Sequence, residues 1–390
     1  MFQASGSAVV ASRRRILESV PASLEFVVDM AAPRYPEGAK LQIRRHLPPC
    51  PFRGSYGPNP RPKVTYPEGN FDRVDFALAN PPVKTEPQST DRHTFTITST
   101  KTLRCFDDGG GAHVITGYVD QWTTVYVAKI YDGVDYPFEE DEDGIDCMTL
   151  ADADYAVEGC AYETMQGVAT VAGNIAPNYY GGWTFPVDTD DARPPRWVRM
   201  ILIELIEGET MLAKILRATK NDTIVYSLLP SEEFRLRVLK NIFEAEIAIW
   251  WDAEVEHIDV NPRNVMMRDD GRVVLIDFNQ TMIYPYLGAA HPKHGEDDSP
   301  LPPSPIRRYW KEPFADSEED GGPWGNWIPK AWLNNKELAV EWLLDTWGNP
   351  PPDKYEPLSS RFLNDPAHAK RSAKILRKLE KLGRKPAEKT

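Results

Sequence analysis

The stretch His257-Ile-Asp-Val-Asn-Pro-Arg-Asn264, with Val-Val-Leu-Ile-Asp277-Phe-Asn279 behind it, constrains this chain more than any other part. It reads as a short loop bearing an acid and an amide, then an apolar strand that ends in a second acid. Asp259 and Asp277 lie 277 − 259 = 18 residues apart. A loop, a hairpin turn at Asp269-Asp270-Gly271 and a return strand bring both carboxylates to one cleft. One carboxylate can then position a hydroxyl nucleophile. The other, with an amide oxygen, can hold Mg²⁺, the set that phosphoryl transfer needs. Taken alone, a loop rich in Asp and Asn is also an ordinary turn. Asp277 at the end of an apolar strand is what lifts it above that.

Length and composition bound the answer. A chain of 390 residues holds one two-lobed domain or two ordinary ones. Its 41% hydrophobic content and eleven tryptophans suit a globular protein, and a net charge of −13 disfavours broad nucleic-acid binding. The 35 prolines exceed the usual share of ~5%, so long irregular segments are expected. Cys50, Cys105, Cys147 and Cys160 show no C-x-x-C spacing and read as reduced intracellular thiols. No apolar run approaches the ~20 residues of a membrane span. The N-terminal basic cluster, Arg13–Arg15, follows its apolar patch, the reverse of a secretory signal. A cytoplasmic or nuclear protein with no membrane partner is the expectation.

Residues 1–92 read as a Pro-rich extension, because Pro48 to Pro87 break every candidate element. From His93 the texture changes, with strands expected at Thr94–Thr100, His113–Val119 and Thr123–Tyr131. The acidic run 139–143 reads as a solvated loop. A helix is expected over Thr149–Gln166, with Asp152 and Asp154 in its first turns and Val157, Ala161 and Met165 as its inward stripe. Trp197–Leu205 is apolar enough for a strand buried on both faces. Ser231–Trp251 is the strongest helix, capped by Ser231, with Phe234, Val238, Ile242, Ala245 and Ile249 on one face. Helices are expected again at Lys330–Trp347. Residues 284–329 read as irregular and 367–390 as a basic tail.

Strand periodicity puts Val125, Val127 and Lys129 on one face. A lysine aimed into a cleft from an apolar strand needs anionic company, which nucleotide phosphates supply; an edge-strand lysine reaching to solvent is the plainer alternative. Gly109, Gly110 and Gly111 lie between two expected strands, where a phosphate-covering loop belongs. They do not spell G-x-G-x-x-G, and a flexible hairpin explains them as well.

Together these residues resemble the H-x-D-x-x-x-x-N loop and D-F-G motif of the protein-kinase-like superfamily, over roughly residues 93–350. Aminoglycoside and choline kinases, and uncharacterised fungal kinase-like proteins, share this texture. The resemblance implies an α+β bilobal fold: an extension (1–92), a small β-rich N-lobe (93–204), a larger helical C-lobe (205–366) and the basic tail (367–390). It implies ATP and Mg²⁺ between the lobes, and a hydroxyl of a protein or small molecule as acceptor. Asp259 would orient the acceptor; Asn264 and Asp277 would hold metal. Lys129 would meet the phosphates, paired with Glu158, with Glu163 the competing partner. Val127 would press the adenine ring, and the backbone of Glu204 and Ile206 would bind its edge. His257 would pack beneath the loop and bond the backbone near Asp277. The tail would meet an acidic partner or an import factor, or dock on the acidic body.

The chain also departs from the family's pattern. Ile258 replaces the Arg of regulated protein kinases, Asn261 a phosphate-neutralising Lys, and Asn279 the Gly of D-F-G. These departures bring small-molecule kinases closer, and leave a pseudokinase, a nucleotide-binding or scaffold module, as the alternative.

Overall fold

The computed structural model describes residues 34–61, 71–85, 90–99, 111–137, 146–189, 192–220, 223–288, 291, 293, 301–309, 324–348, 353–356, 373 and 377. Residues 37–390 belong to one compact unit and 1–36 to another. Cys105, Gly109, Gly110, the acidic run 139–143 and, apart from Ala373 and Arg377, the basic tail lie outside the described residues. Among the described residues no helix is long and apolar enough to cross a membrane.

The fold is α+β. Six antiparallel strands close a barrel in the order β1-β2-β3-β4-β6-β5. They are β1 (Lys40–His46), β2 (Arg92–Ser99), β3 (His113–Val119), β4 (Tyr126–Tyr131), β5 (Tyr179–Val187) and β6 (Arg196–Glu204). Helix α1 (Arg73–Ala79) follows β1, and α2 (Cys147–Gln166) lies between β4 and β5. Beyond β6 come β7 (Glu209–Thr210), α3 (Met211–Arg217), β8 (Thr219–Lys220), β9 (Thr223–Ile224) and the long α4 (Glu232–Ala253). Short strands β10 (Val255–His257), β11 (Val265–Met267), β12 (Val273–Leu275) and β13 (Thr281–Ile283) precede helices α5 (Pro305–Tyr309), α6 (Lys330–Asn334) and α7 (Lys336–Trp347).

Alternation along the strands sorts side chains into two cores. On β4, Ala128 and Ile130 are buried with Ile43, Phe95, Ile97, Ile115, Phe185 and Met200 on the barrel's inner face. Gly117 on β3 leaves room for the Phe95 ring there, since an added Cβ would lie 2.5 Å from it. The opposite face of β4, with Val127 and Tyr131, packs against Tyr155 and Tyr162 of α2 and joins the core of α4 and the β11–β12 hairpin. Lys129 belongs to this outer face.

Several expectations change. β1 lies inside the stretch read as an extension, yet pairs with both β2 and β5 and closes the barrel. Its sequence hides it, because only Leu41 and Ile43 are apolar among Lys40, Gln42, Arg44 and Arg45. β4 begins at Tyr126, three residues later than expected. Helix α2 begins at Cys147, capped by Asp146, whose carboxylate accepts from Thr149 N at 2.9 Å. Asp152 and Asp154 therefore lie beyond the first turn, and Asp152 is buried against Arg61. The helices expected over 330–347 are present as two, divided at Asn335, whose side chain accepts from Glu337 N and caps α7.

Candidate functional site

Three elements converge on Lys129. Its ammonium donates to Glu158 Oε2 of α2 at 2.5 Å and to Asp277 Oδ1, just past β12, at 2.6 Å. Glu158 is fully buried and accepts two more bonds, from Tyr131 OH at 2.6 Å and from Phe278 N at 3.2 Å. Tyr131 reaches it because it is two residues from Lys129 on the same strand face. Glu163, the competing partner, is exposed.

Burial disfavours the Lys129 ammonium, but the two carboxylates outweigh it and raise its pKa, so it stays charged. Burial likewise works against Asp277, and the Lys129 charge overrides it, holding this carboxyl below the ordinary aspartate value. For Glu158 burial dominates and pushes the carboxyl up despite Lys129. Two acids and one base leave a net negative charge that a cation can offset.

The loop after β10 forms the other half. His257 Nε2 donates to Ile276 O at 3.0 Å, and Asp259 N donates to His257 Nδ1 at 3.2 Å, which fixes the neutral tautomer. Burial lowers the pKa of this imidazole, in line with its expected packing role. Asp259 accepts from three side chains: Asn261 Nδ2 at 2.8 Å, Arg263 Nη2 at 2.7 Å and Asn264 Nδ2 at 3.0 Å. The turn Pro262–Asn264 folds these groups back on Asp259, with Asn261 Oδ1 accepting from Arg263 N at 3.0 Å.

Asn264 couples the halves. Its amide nitrogen is committed to Asp259, and its backbone carbonyl accepts from Ile276 N at 3.0 Å, beside Asp277. Among the described residues its buried Oδ1 has no hydrogen-bond partner, an arrangement that costs about 1–3 kcal/mol unless something completes it. Asp277 has φ +67°, a left-handed conformation uncommon outside glycine and sites under constraint. Among the described residues no group of three or more His, Cys, Asp or Glu gathers to hold a metal. Asn264 Oδ1 and the Asp277 carboxylate nonetheless supply the oxygen donors a hard cation takes when water and phosphate complete its shell.

Val127 is buried on the Lys129 face, paired across the ladder with Ile203 of β6. Glu204 ends that strand opposite Tyr126; its backbone N donates to Asn178 O at 2.9 Å and its carboxylate accepts from Asn178 Nδ2 at 2.8 Å. Ile206 is buried two residues on. Gly208 (φ +149°) lets the chain pass close to the hairpin, since a Cβ there would lie 2.4 Å from Met267 O. Gly111, two residues before β3, has φ +135°, and among the described residues nothing lies within 4 Å of an added Cβ there.

Lys129, Glu158, Asp277, Asn264 and Asp259 are thus joined by hydrogen bonds, directly or through one neighbour. Sequence reasoning missed Arg263 and Tyr131. Arg263 is a cation four residues from Asp259 inside the loop, a spacing that could have marked it. Tyr131 was legible only as the next residue on the Lys129 face. No protein-family model matches the chain, and no curated protein matches it.

Proposed function

We propose that the chain is an ATP- and Mg²⁺-dependent phosphotransferase with a two-lobed, protein-kinase-like architecture, the barrel and α2 serving as the small lobe. The observation that carries this reading is Lys129 bridging Glu158 and Asp277, with Asn264 bonded through its backbone to Ile276, next to Asp277, and its Oδ1 unpartnered among the described residues. A buried lysine held by two carboxylates stays positive and fixed in place, which suits a contact to phosphate. Asn264 Oδ1 and the Asp277 carboxylate are the groups that would hold Mg²⁺, whose charge offsets that of the phosphates when bound. Val127 would face the adenine, and the backbone at Glu204 and Ile206 would meet its edge.

The acceptor is a hydroxyl of a protein or small molecule. Its oxygen bonds to the γ-phosphorus as the bond to ADP breaks, and Asp259 takes the hydroxyl proton. Asn261 and Arg263 hold the Asp259 carboxylate in place. Arg263 also brings a positive charge to the loop, which softens the lack of a lysine at position 261. Ile258, at the position of the Arg of regulated protein kinases, is 60% exposed.

Asp259→Ala tests the reading: ATP affinity should hold while turnover falls on the order of 10²–10⁴-fold. Unchanged turnover would remove Asp259 from the chemistry. The pseudokinase reading is favoured by Asn261 and Asn279, and its signature is stabilisation by Mg·ATP without ATP consumption across a broad acceptor panel. Autophosphorylation abolished by Asp277→Ala would exclude it.

A further inference from the structure

The helix that carries Glu158 and the strand that follows Asp277 are both held by chain that precedes the second barrel strand. Along α2, Arg61 Nη1 donates to Asp152 Oδ2 at 2.6 Å, and Val83 N donates to the same oxygen at 2.9 Å. Arg61 and Asp152 are both buried, and the guanidinium is also fixed by Pro81 O at 3.0 Å and Asn80 O at 2.8 Å. Phe52 packs on Ala153 and Ala156. Cys160 Sγ donates to Pro49 O at 3.3 Å, and Pro48 lies so close to Gly159 that an added Cβ would sit 2.6 Å from its ring. Glu158 is thus flanked on both sides by contacts to residues 48–61. The same stretch reaches the segment after Asp277: Tyr56 OH donates to Thr281 O at 2.8 Å and accepts from Ile283 N at 2.9 Å. Thr281 Oγ1 in turn donates to Phe278 O at 2.9 Å, and Phe278 N bonds Glu158.

We infer that residues 48–61, together with Val83, form a built-in brace that sets Glu158 and Asp277 on Lys129, with Arg61 and Tyr56 as positioning residues. An α-helix is a stiff rod with a rise of about 1.5 Å per residue, so Asp152 and Glu158, on one continuous helix, move together. Tyr56 does the same for the strand that follows Asp277. Neither residue touches the Lys129 ammonium. In a chain with Ile258 beside Asp259, a brace of this kind holds the site in register without any phosphorylated loop. The inference deepens the phosphotransferase reading and rests on it for its consequence in turnover, while the geometric claim stands separately.

The test is the rate at which an amine-reactive reagent such as trinitrobenzenesulfonate labels Lys129 in nucleotide-free protein, read by peptide mass spectrometry, alongside kcat and KM. Tyr56→Phe removes one oxygen, and Arg61→Ala removes the partner of Asp152. Each should accelerate labelling severalfold, because an ammonium no longer clamped between Glu158 and Asp277 is open to the reagent. Glu158→Gln is the control for a freed lysine and should do the same. In turnover, both brace variants should lower kcat with the acceptor KM unchanged, and Arg61→Lys should recover part of the loss. Labelling and kcat at wild-type values in a folded Tyr56→Phe would overturn the brace, even if Arg61→Ala fails to fold. If labelling responds but the wild-type chain turns over no ATP, the brace stands and the phosphotransferase reading falls.

Discussion

Lys129 sits where a single side-chain change has two separable effects. Replacing it by methionine removes the ammonium and leaves Glu158 buried beside Asp277 without its cation. Breaking a buried pair in this way costs about 3–5 kcal/mol. Lys129→Met should therefore lower stability in urea titrations as well as abolish turnover, and Glu158→Gln should cost less because its amide still bonds Tyr131. A Lys129→Met variant as stable as the parent would show that the triad is not the buried network described above. Titration gives a second residue-scale test. Burial, then the charge of Arg199, depresses His46 from 6.5 to about 3. Its folded pKa lies below its unfolded one, so its contribution is present above about pH 6.5 and is lost as pH falls toward 3. Asp154 runs the other way: burial raises it to about 7, so its contribution is full below the ordinary aspartate value and lost as pH rises through 7. In thermal melts His46→Gln should flatten the loss as pH falls from about 7 to about 4.5, and Asp154→Asn the loss as pH rises from about 4 to about 7. Parallel curves for parent and variants would contradict both assignments.

Helices and strands with strong periodicity were legible, and those built around glycine, proline or charge were not. His113–Val119 is a strand with the expected bounds, and α4 is capped by Ser231, whose hydroxyl accepts from Phe234 N at 3.3 Å. Val238, Ile242, Ala245 and Ile249 line its buried face as read, with Phe234 half-buried at its start. β5 escaped notice because Gly181, Gly182 and Pro186 are breaker signals, yet Pro186 pairs with Trp197 and Gly182 with Ile201 in the ladder. Tertiary closure outweighed local preference there, as it did for β1. The convergence of five polar residues was legible, because the 18-residue spacing across a hairpin survives folding; Arg263 bonds Asp259 locally, four residues away, whereas the bonds of Tyr131 and Tyr56 depend on tertiary approach that no local pattern encodes. Two substitutions probe elements directly. Ser231→Ala should cost ~1 kcal/mol in chemical denaturation through loss of the cap. Gly117→Ala should cost about 1–3 kcal/mol, because its Cβ would lie 2.4 Å from Thr96 O and 2.5 Å from the Phe95 ring, overpacking the barrel. A neutral Gly117→Ala would mean that the inner face of β3 is looser than its contacts indicate.

At the scale of the molecule, a barrel with its own core shares one strand face with a helical body, and the polar cluster lies along that shared face. Lys129 comes from the barrel, Glu158 from the helix packed on it, and Asp259, Asn264 and Asp277 from the loop and hairpin beyond Gly208. Closing the barrel with β1 removes open edges, and it anchors the chain that continues into the brace on α2. The proposed phosphotransferase activity requires this convergence to hold a metal–triphosphate complex. The most direct measurement is the anomalous scattering of crystals grown with Mn²⁺ and a non-hydrolysable ATP analogue. A manganese peak should appear bonded to Asn264 Oδ1 and the Asp277 carboxylate, with the triphosphate against Lys129. A nucleotide bound elsewhere, or a manganese site sharing neither oxygen, would contradict it.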